Sequence, residues 1–292
     1  MSHRLSQESI DKLIHEAILV EAEEAREAGT IGYMARALTM ATIPHRDPKT
    51  NEFERENGHF TLRIMAPSKV GLPYGVYPRL MLSWLSTEAV RTKSPHLELG
   101  DSLSAFMNAL GISPTGGRWG TIPRLKDQMQ RLFTSTVSCT YDNTTEGQWS
   151  DVGFRIANEI HLWWDPKNPK QSALWGSSID LSESFYKEVV DRPVPIDLRA
   201  IRALKSSSMA LDIYCWLTYR NSYLKKPTNI PWELLRMQFG TGYKDTKQGR
   251  YEFKRQFKNQ LKKVLVIYPD AKVNVDGEHL LLLPGRTHIQ RR

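Results

Sequence analysis

The stretch GRYEFKRQFKNQLKKVLVIYP, Gly249–Pro269, carries two stripes at helical spacing. Phe253, Phe257, Leu261, Val264 and Leu265 recur as an apolar stripe that calls for a core. Arg250, Lys254, Lys258 and Lys262 recur every fourth residue and form a basic stripe beside it. From Gly240 to Lys263 the cations Lys244, Lys247, Arg250, Lys254, Arg255, Lys258, Lys262 and Lys263 face only Asp245 and Glu252. The chain as a whole has a net charge of +8, so most of its excess sits in this segment. A solvated lysine face is the plain alternative. The concentration of charge favours an anionic partner, and a duplex matches a rod-like stripe.

Working outward, the same pattern occurs twice. Ser207–Leu224 reads as an apolar helix, Thr228–Ile230 as a short strand, and WELLRMQF (232–239) as a helix closed by Gly240. The basic helix follows, and then a hairpin turning at Asp276-Gly277. Upstream, Tyr77–Thr92, Leu97–Leu99, LSAFMNAL (103–110) closed by Gly111, and Thr121–Thr134 repeat that order. The strands Thr136–Tyr141 and Trp149–Ala157 are expected as the hairpin that follows. Trp84-Leu85 recurs as Trp216-Leu217 and Gly111 as Gly240, at nearly equal offsets. Helix, strand, helix, helix, hairpin is the order of a winged helix, whose third helix enters the major groove.

The expected fold class is therefore α+β, mainly helical: two tandem winged-helix domains with an N-terminal helix. Residues 1–57 read as an acidic helix (Leu5–Ala28) and a linker, and 58–165 as the first winged helix. HLWWDPKNPKQ (161–171) reads as the exit toward a second winged helix at 172–286, followed by a basic tail at 287–292. Candidate DNA contacts are Arg118, Arg124, Gln128 and Arg131 on the first third helix and its approach. On the second they are Lys244, Lys247, Arg250, Lys254, Arg255, Lys258 and Lys262. Arg118 and Trp119 have a rival reading, as organisers of the Gly-rich turn.

Several function classes lose support. No apolar run approaches the roughly 18 residues that cross a bilayer, and MSHRLSQESIDKL holds no apolar signal core, so a cytoplasmic protein with no membrane role is expected. Hydrophobic residues make up 40% and charged residues 25%, a balance that fits a globular chain rather than a disordered one. No two of the eight histidines stand two apart, and Gly-Lys occurs nowhere, against a His-x-His nicking centre and a P-loop. Cys139 and Cys215 read as reduced core thiols. No catalytic site, metal or cofactor is expected.

GVYPRLMLSWLSTEAVRTKS, LELGDSLSAFMNALGISPTGGRWG, RLKDQMQRLF and LDIYCWLTYRNSYLKKPTNIPWELLRMQFG resemble blocks of the plasmid-encoded RepA-type replication initiators. The resemblance spans about Pro73–Pro284. It implies an initiator that binds short repeats of double-stranded DNA at a plasmid origin and recruits the host initiator and replicative helicase, with a part in copy control. Self-repression as a homodimer is a further family expectation. A winged-helix transcriptional repressor without initiator activity, and a module that docks an acidic protein, are the other readings.

Overall fold

The computed structural model describes residues 29–289, apart from 144–145, 165–166, 172–175 and 241, together with Leu13, Ile14, Glu16, Ala17, Val20 and Ala25. The acidic helix expected over Leu5–Ala28 lies, but for those positions, outside the described residues. The chain divides into two units, Tyr33–Pro193 and Met1–Gly32 with Val194–Arg292. Strand β1 (Ile31–Met34) leads from one into the other.

Tyr33–Pro193 begins with a short helix α1 (Arg36–Met40) and the hairpin β2 (Glu52–Asn57)–β3 (Phe60–Met65), turned where Gly58 adopts a φ of 61°. Part of the polar segment expected as linker is thus a paired strand. Alternation puts Phe53, Phe60, Leu62 and Ile64 in the core. Helix α2 (Val76–Thr92) buries residues on every side, from Pro78 to Ala89, and so forms the centre of the unit. Its Arg79 is itself buried and donates to the carbonyls of Ile43 (2.7 Å) and Gly75 (2.6 Å), joining two loops.

After β4 (His96–Glu98) come α3 (Leu103–Ala109), capped by the Ser102 hydroxyl, and α4 (Thr121–Thr134). The next strands, β5 (Thr136–Asn143) and β6 (Gln148–Arg155), do not form the expected wing. They extend the first hairpin into a four-stranded sheet ordered β2-β3-β5-β6. The hairpin that joins β4 is instead β7 (Ala157–His161) and β8 (Ser178–Leu181), in which β8 pairs with both β7 and β4. HLWWDPKNPKQ is therefore part of a hairpin and not an exit. Its Trp164 packs on Phe106 at 5.2 Å while Trp163 stays exposed. Helix α5 (Glu183–Asp191) also belongs to this unit, so the expected boundary near residues 165–172 moves to Pro193–Val194.

In the other unit, β9 (Val194–Asp197) enters α6 (Leu198–Leu204), with Asp197 capping the Arg199 N–H at 2.8 Å. Helix α7 (Ser208–Asn221) is buried all round, as α2 is. Strand β10 (Thr228–Pro231), α8 (Trp232–Phe239), α9 (Lys247–Ile267), β11 (Val273–Val275) and β12 (His279–Leu282) complete it. The sheet order is β10-β12-β11, the last strand in the middle, as in β4-β8-β7. Phe239 joins Trp216 (5.7 Å) to Phe257 (5.4 Å), locking α9 onto α7 and α8. Thr287–Ile289 is no free tail: Ile289 is buried and His288 Nδ1 lies 2.7 Å from the Tyr214 hydroxyl. Neither cysteine is in a disulfide, and burial pushes the Cys139 thiol up to about 12. The described residues form a mixed α/β fold.

Candidate nucleic-acid interface

Helices α4 and α9 are each set by a glycine with no room for a side chain. A Cβ at Gly120 would collide with the carbonyls of Thr115 and Gly116, and one at Gly249 with that of Lys244. Each glycine lets an approach loop fold back against the first turn of its helix. Thr115 and Thr121 close the first loop, each accepting the other's backbone N–H, at 2.8 and 2.9 Å. On the second, Thr246 caps the Gly249 N–H at 3.1 Å.

Arg118 and Trp119 are therefore not what organises the Gly-rich turn. Both are exposed, Trp119 at 75%, and the Arg118 guanidinium lies over the indole at 5.0 Å. Arg124 is exposed on α4. Gln128 is not: it is buried, accepts the Tyr74 N–H (2.9 Å) and donates to Asp127 (2.9 Å), so its amide is turned into the unit and away from a groove. Arg131 is likewise engaged, ion-paired with Asp127 at 2.9 Å and stacked over Tyr74 at 5.4 Å. Lys126, absent from the expected contacts, is exposed. The α4 surface is thus Arg118, Trp119, Arg124 and Lys126.

On α9, Phe253, Phe257, Leu261 and Val264 are buried as expected and Leu265 is only half-buried, while Ile267, outside the expected stripe, is buried as well. The basic stripe is turned less far from this core than a half-turn. One residue is about 100° of helix, so Lys254 and Lys258 follow Phe253 and Phe257 by roughly a quarter-turn. Both ammonium groups lie over the Trp232 ring, at 4.8 and 5.6 Å, and Lys254 also donates to the Gly277 carbonyl of the β11–β12 turn. Burial, with the Lys258 charge beside it, lowers the Lys254 pKa.

The outward face instead carries Lys247, Tyr251, Arg255 and Lys262; Tyr251 is 64% exposed. Arg255 is paired with Glu252 at 2.7 Å. Arg250 pairs with Asp245 at 2.9 Å, and Asp245 also meets Arg236 at 3.3 Å. The Arg250 hydrogen bond, with both cations, holds the Asp245 carboxyl below its usual range. Two arginines on one carboxylate leave guanidinium donors free for a further anion. Lys244 is exposed on the approach loop. Tyr251 and Lys126 are exposed residues absent from the expected contacts, and the exposure of Tyr251 and Trp119 has no periodic signature in the sequence.

The pattern of plasmid-encoded RepA proteins matches residues 72–233, more than half of the chain. The chain belongs to this family. No curated protein matches it closely enough to be significant. Two crystal structures of domains 2 and 3 of RctB, one from selenomethionine derivatives, share the fold of this RepA protein with TM-scores of 0.52 and 0.50. Each is 10% identical over 85% of the RepA chain, covering 98% and 96% of its own. The family match takes in α2, α4, the β7–β8 hairpin and the start of α8, so it bridges both units of the RepA chain.

Proposed function

We propose that this RepA protein is a plasmid replication initiator that reads repeated double-stranded sites at its origin through two winged helices. The observation that carries this reading is the repeated topology. Each unit contains helix, strand, helix, helix and a hairpin whose last strand is central to its sheet, with β5 and β6 inserted before the hairpin in the first, and α4 and α9 each present exposed cations. In such modules the third helix lies in the major groove and its N-terminal residues approach base edges. Arg124 and Arg250 are the base readers of this scheme, and Lys126, Lys244, Lys247 and Lys262 hold phosphates. Arg118, Arg255, Lys254 and Lys258 add positive field at the rims.

Family membership supports the origin as the target, with recruitment of a host initiator and helicase in the cytoplasm as the consequence. No catalytic role is proposed. The test is footprinting on the encoding plasmid. The expected result is protection of repeats beside the gene, each footprint longer than one helical turn, about 10 bp. Protection confined to the promoter would favour the repressor reading. No protection at low salt would sink both.

A further inference from the structure

The β4-β8-β7 sheet turns a second chemical face to solvent. Its register sets His96 opposite Asp180 and Asp180 opposite Glu159 in one row. Glu98, Ser178 and His161 form the next row. Side chains two apart share a face, so two imidazoles and three carboxylates project together. A bulge makes this possible. The pairing shifts between Ala157 and Glu159, leaving Asn158 as the extra residue. In regular pairing Glu159 and His161 would turn to the side of Ile179, which is fully buried.

We propose that this face binds one divalent transition-metal ion, with Zn2+ as the reference ion, through Glu159, His161 and Asp180. The ligating atoms of these three residues already lie within 4.8 Å of one another. His161 Nε2 stands 3.5 Å from a Glu159 oxygen. Ligands about 2.1 Å from a tetrahedral ion lie roughly 3.4 Å apart, a contraction that exposed side chains reach by rotamer change. His96, with Nδ1 at 2.8 Å from Asp180, either orients that carboxylate or supplies the fourth ligand.

The mixed donor set selects the class of ion. Mg2+ and Ca2+ take oxygen ligands, whereas imidazole with carboxylate suits Zn2+ and its neighbours. The His96–Asp180 pair alone would be an ordinary exposed ion pair, but it leaves the bulge and the convergence of Glu159 with His161 unexplained. Bound metal would clamp β7 to β8, and through His96, 84 residues from Asp180 in sequence, it would hold the hairpin against β4 as well.

The test is calorimetric titration of the full chain with Zn2+ after chelator treatment and dialysis, repeated with Co2+ and followed by visible absorption. Saturable binding of one ion per chain and a raised melting temperature are expected. His161→Ala and Glu159→Gln are expected to weaken binding by about 10-fold or more. Both side chains are more than half exposed, so the metal-free variants are expected to melt with the wild type. The absence of saturable binding, or Co2+ bands and Zn2+ affinity unchanged in both variants, overturns the assignment.

Discussion

At the scale of single residues, exposure separates two arginines that sequence alone makes equivalent. Arg124 projects from α4 into solvent, whereas Arg131 is spent on Asp127 and Tyr74. If Arg124 reads a guanine, Arg124→Ala weakens specific binding more than random-duplex binding, by about 1–3 kcal/mol. Equal loss on both duplexes in a gel-shift titration would make it a phosphate contact. Gln128 was misplaced because its captor is the Tyr74 backbone, in a connector with no period to read. A second residue-level expectation concerns His288. The Asp197 N–H donates to the Tyr214 hydroxyl at 2.9 Å, and the same hydroxyl lies 2.7 Å from His288 Nδ1, which holds the imidazole in the core. Burial is the main cause that lowers the His288 pKa to about 4, against opposing pulls from Asp197 and Asp270 and with help from Arg199. The unfolded chain therefore takes up a proton that the native state refuses. Stability from this group is complete above the unfolded value of 6.5 and is lost as pH falls toward about 4. Urea unfolding at pH 7 and pH 5 is expected to show a loss in the wild type, and a smaller one in His288→Asn, whose amide can both donate to and accept from the Tyr214 hydroxyl. Identical losses would remove His288 as the source.

At the scale of elements, α9 was largely legible and the pairing of β5 and β6 was not. An amphipathic helix announces itself within its own sequence, because Phe253, Phe257 and Leu261 mark the buried side whatever they pack on. What periodicity could not give was the lean of Lys254 and Lys258 onto Trp232, a contact made by another helix. Strand pairing is harder still. Nothing in Thr136–Asn143 says that its partner is Phe60–Met65 and not a wing, since both partners offer the same alternation. The salt test for α9 accordingly moves outward from Lys254 and Lys258. Lys247 and Lys262 are exposed on the free face. Each phosphate contact contributes roughly 0.9 to the slope of log K against log salt, so the double alanine variant is expected to flatten it by about 1.8 with melting unchanged. A wild-type slope in that variant takes this face out of the DNA interface.

At the scale of the whole chain, the division into units makes a prediction opposite to the one suggested by composition. The Pro-rich run after His161 looks like a place to cut, and residues 1–165 look like a complete first domain. Pairing says otherwise, because β8 is the central strand of β4-β8-β7 and lies beyond that cut. Removing it leaves β4 and β7 with no partner between them and exposes backbone groups along both. It also removes α5, whose Phe185 and Val189 are fully buried and whose Phe185 packs on Phe154 at 5.9 Å. Losing two such side chains from a core costs several kcal/mol, a large part of the roughly 5–15 kcal/mol that holds a domain folded. A fragment of residues 33–193 is therefore expected to unfold cooperatively in urea, with the same midpoint by fluorescence and by circular dichroism. A fragment of residues 33–165 is expected to lack that transition. If the shorter fragment unfolds as sharply and at the same urea concentration, β8 and α5 are dispensable and the unit ends where the prolines begin.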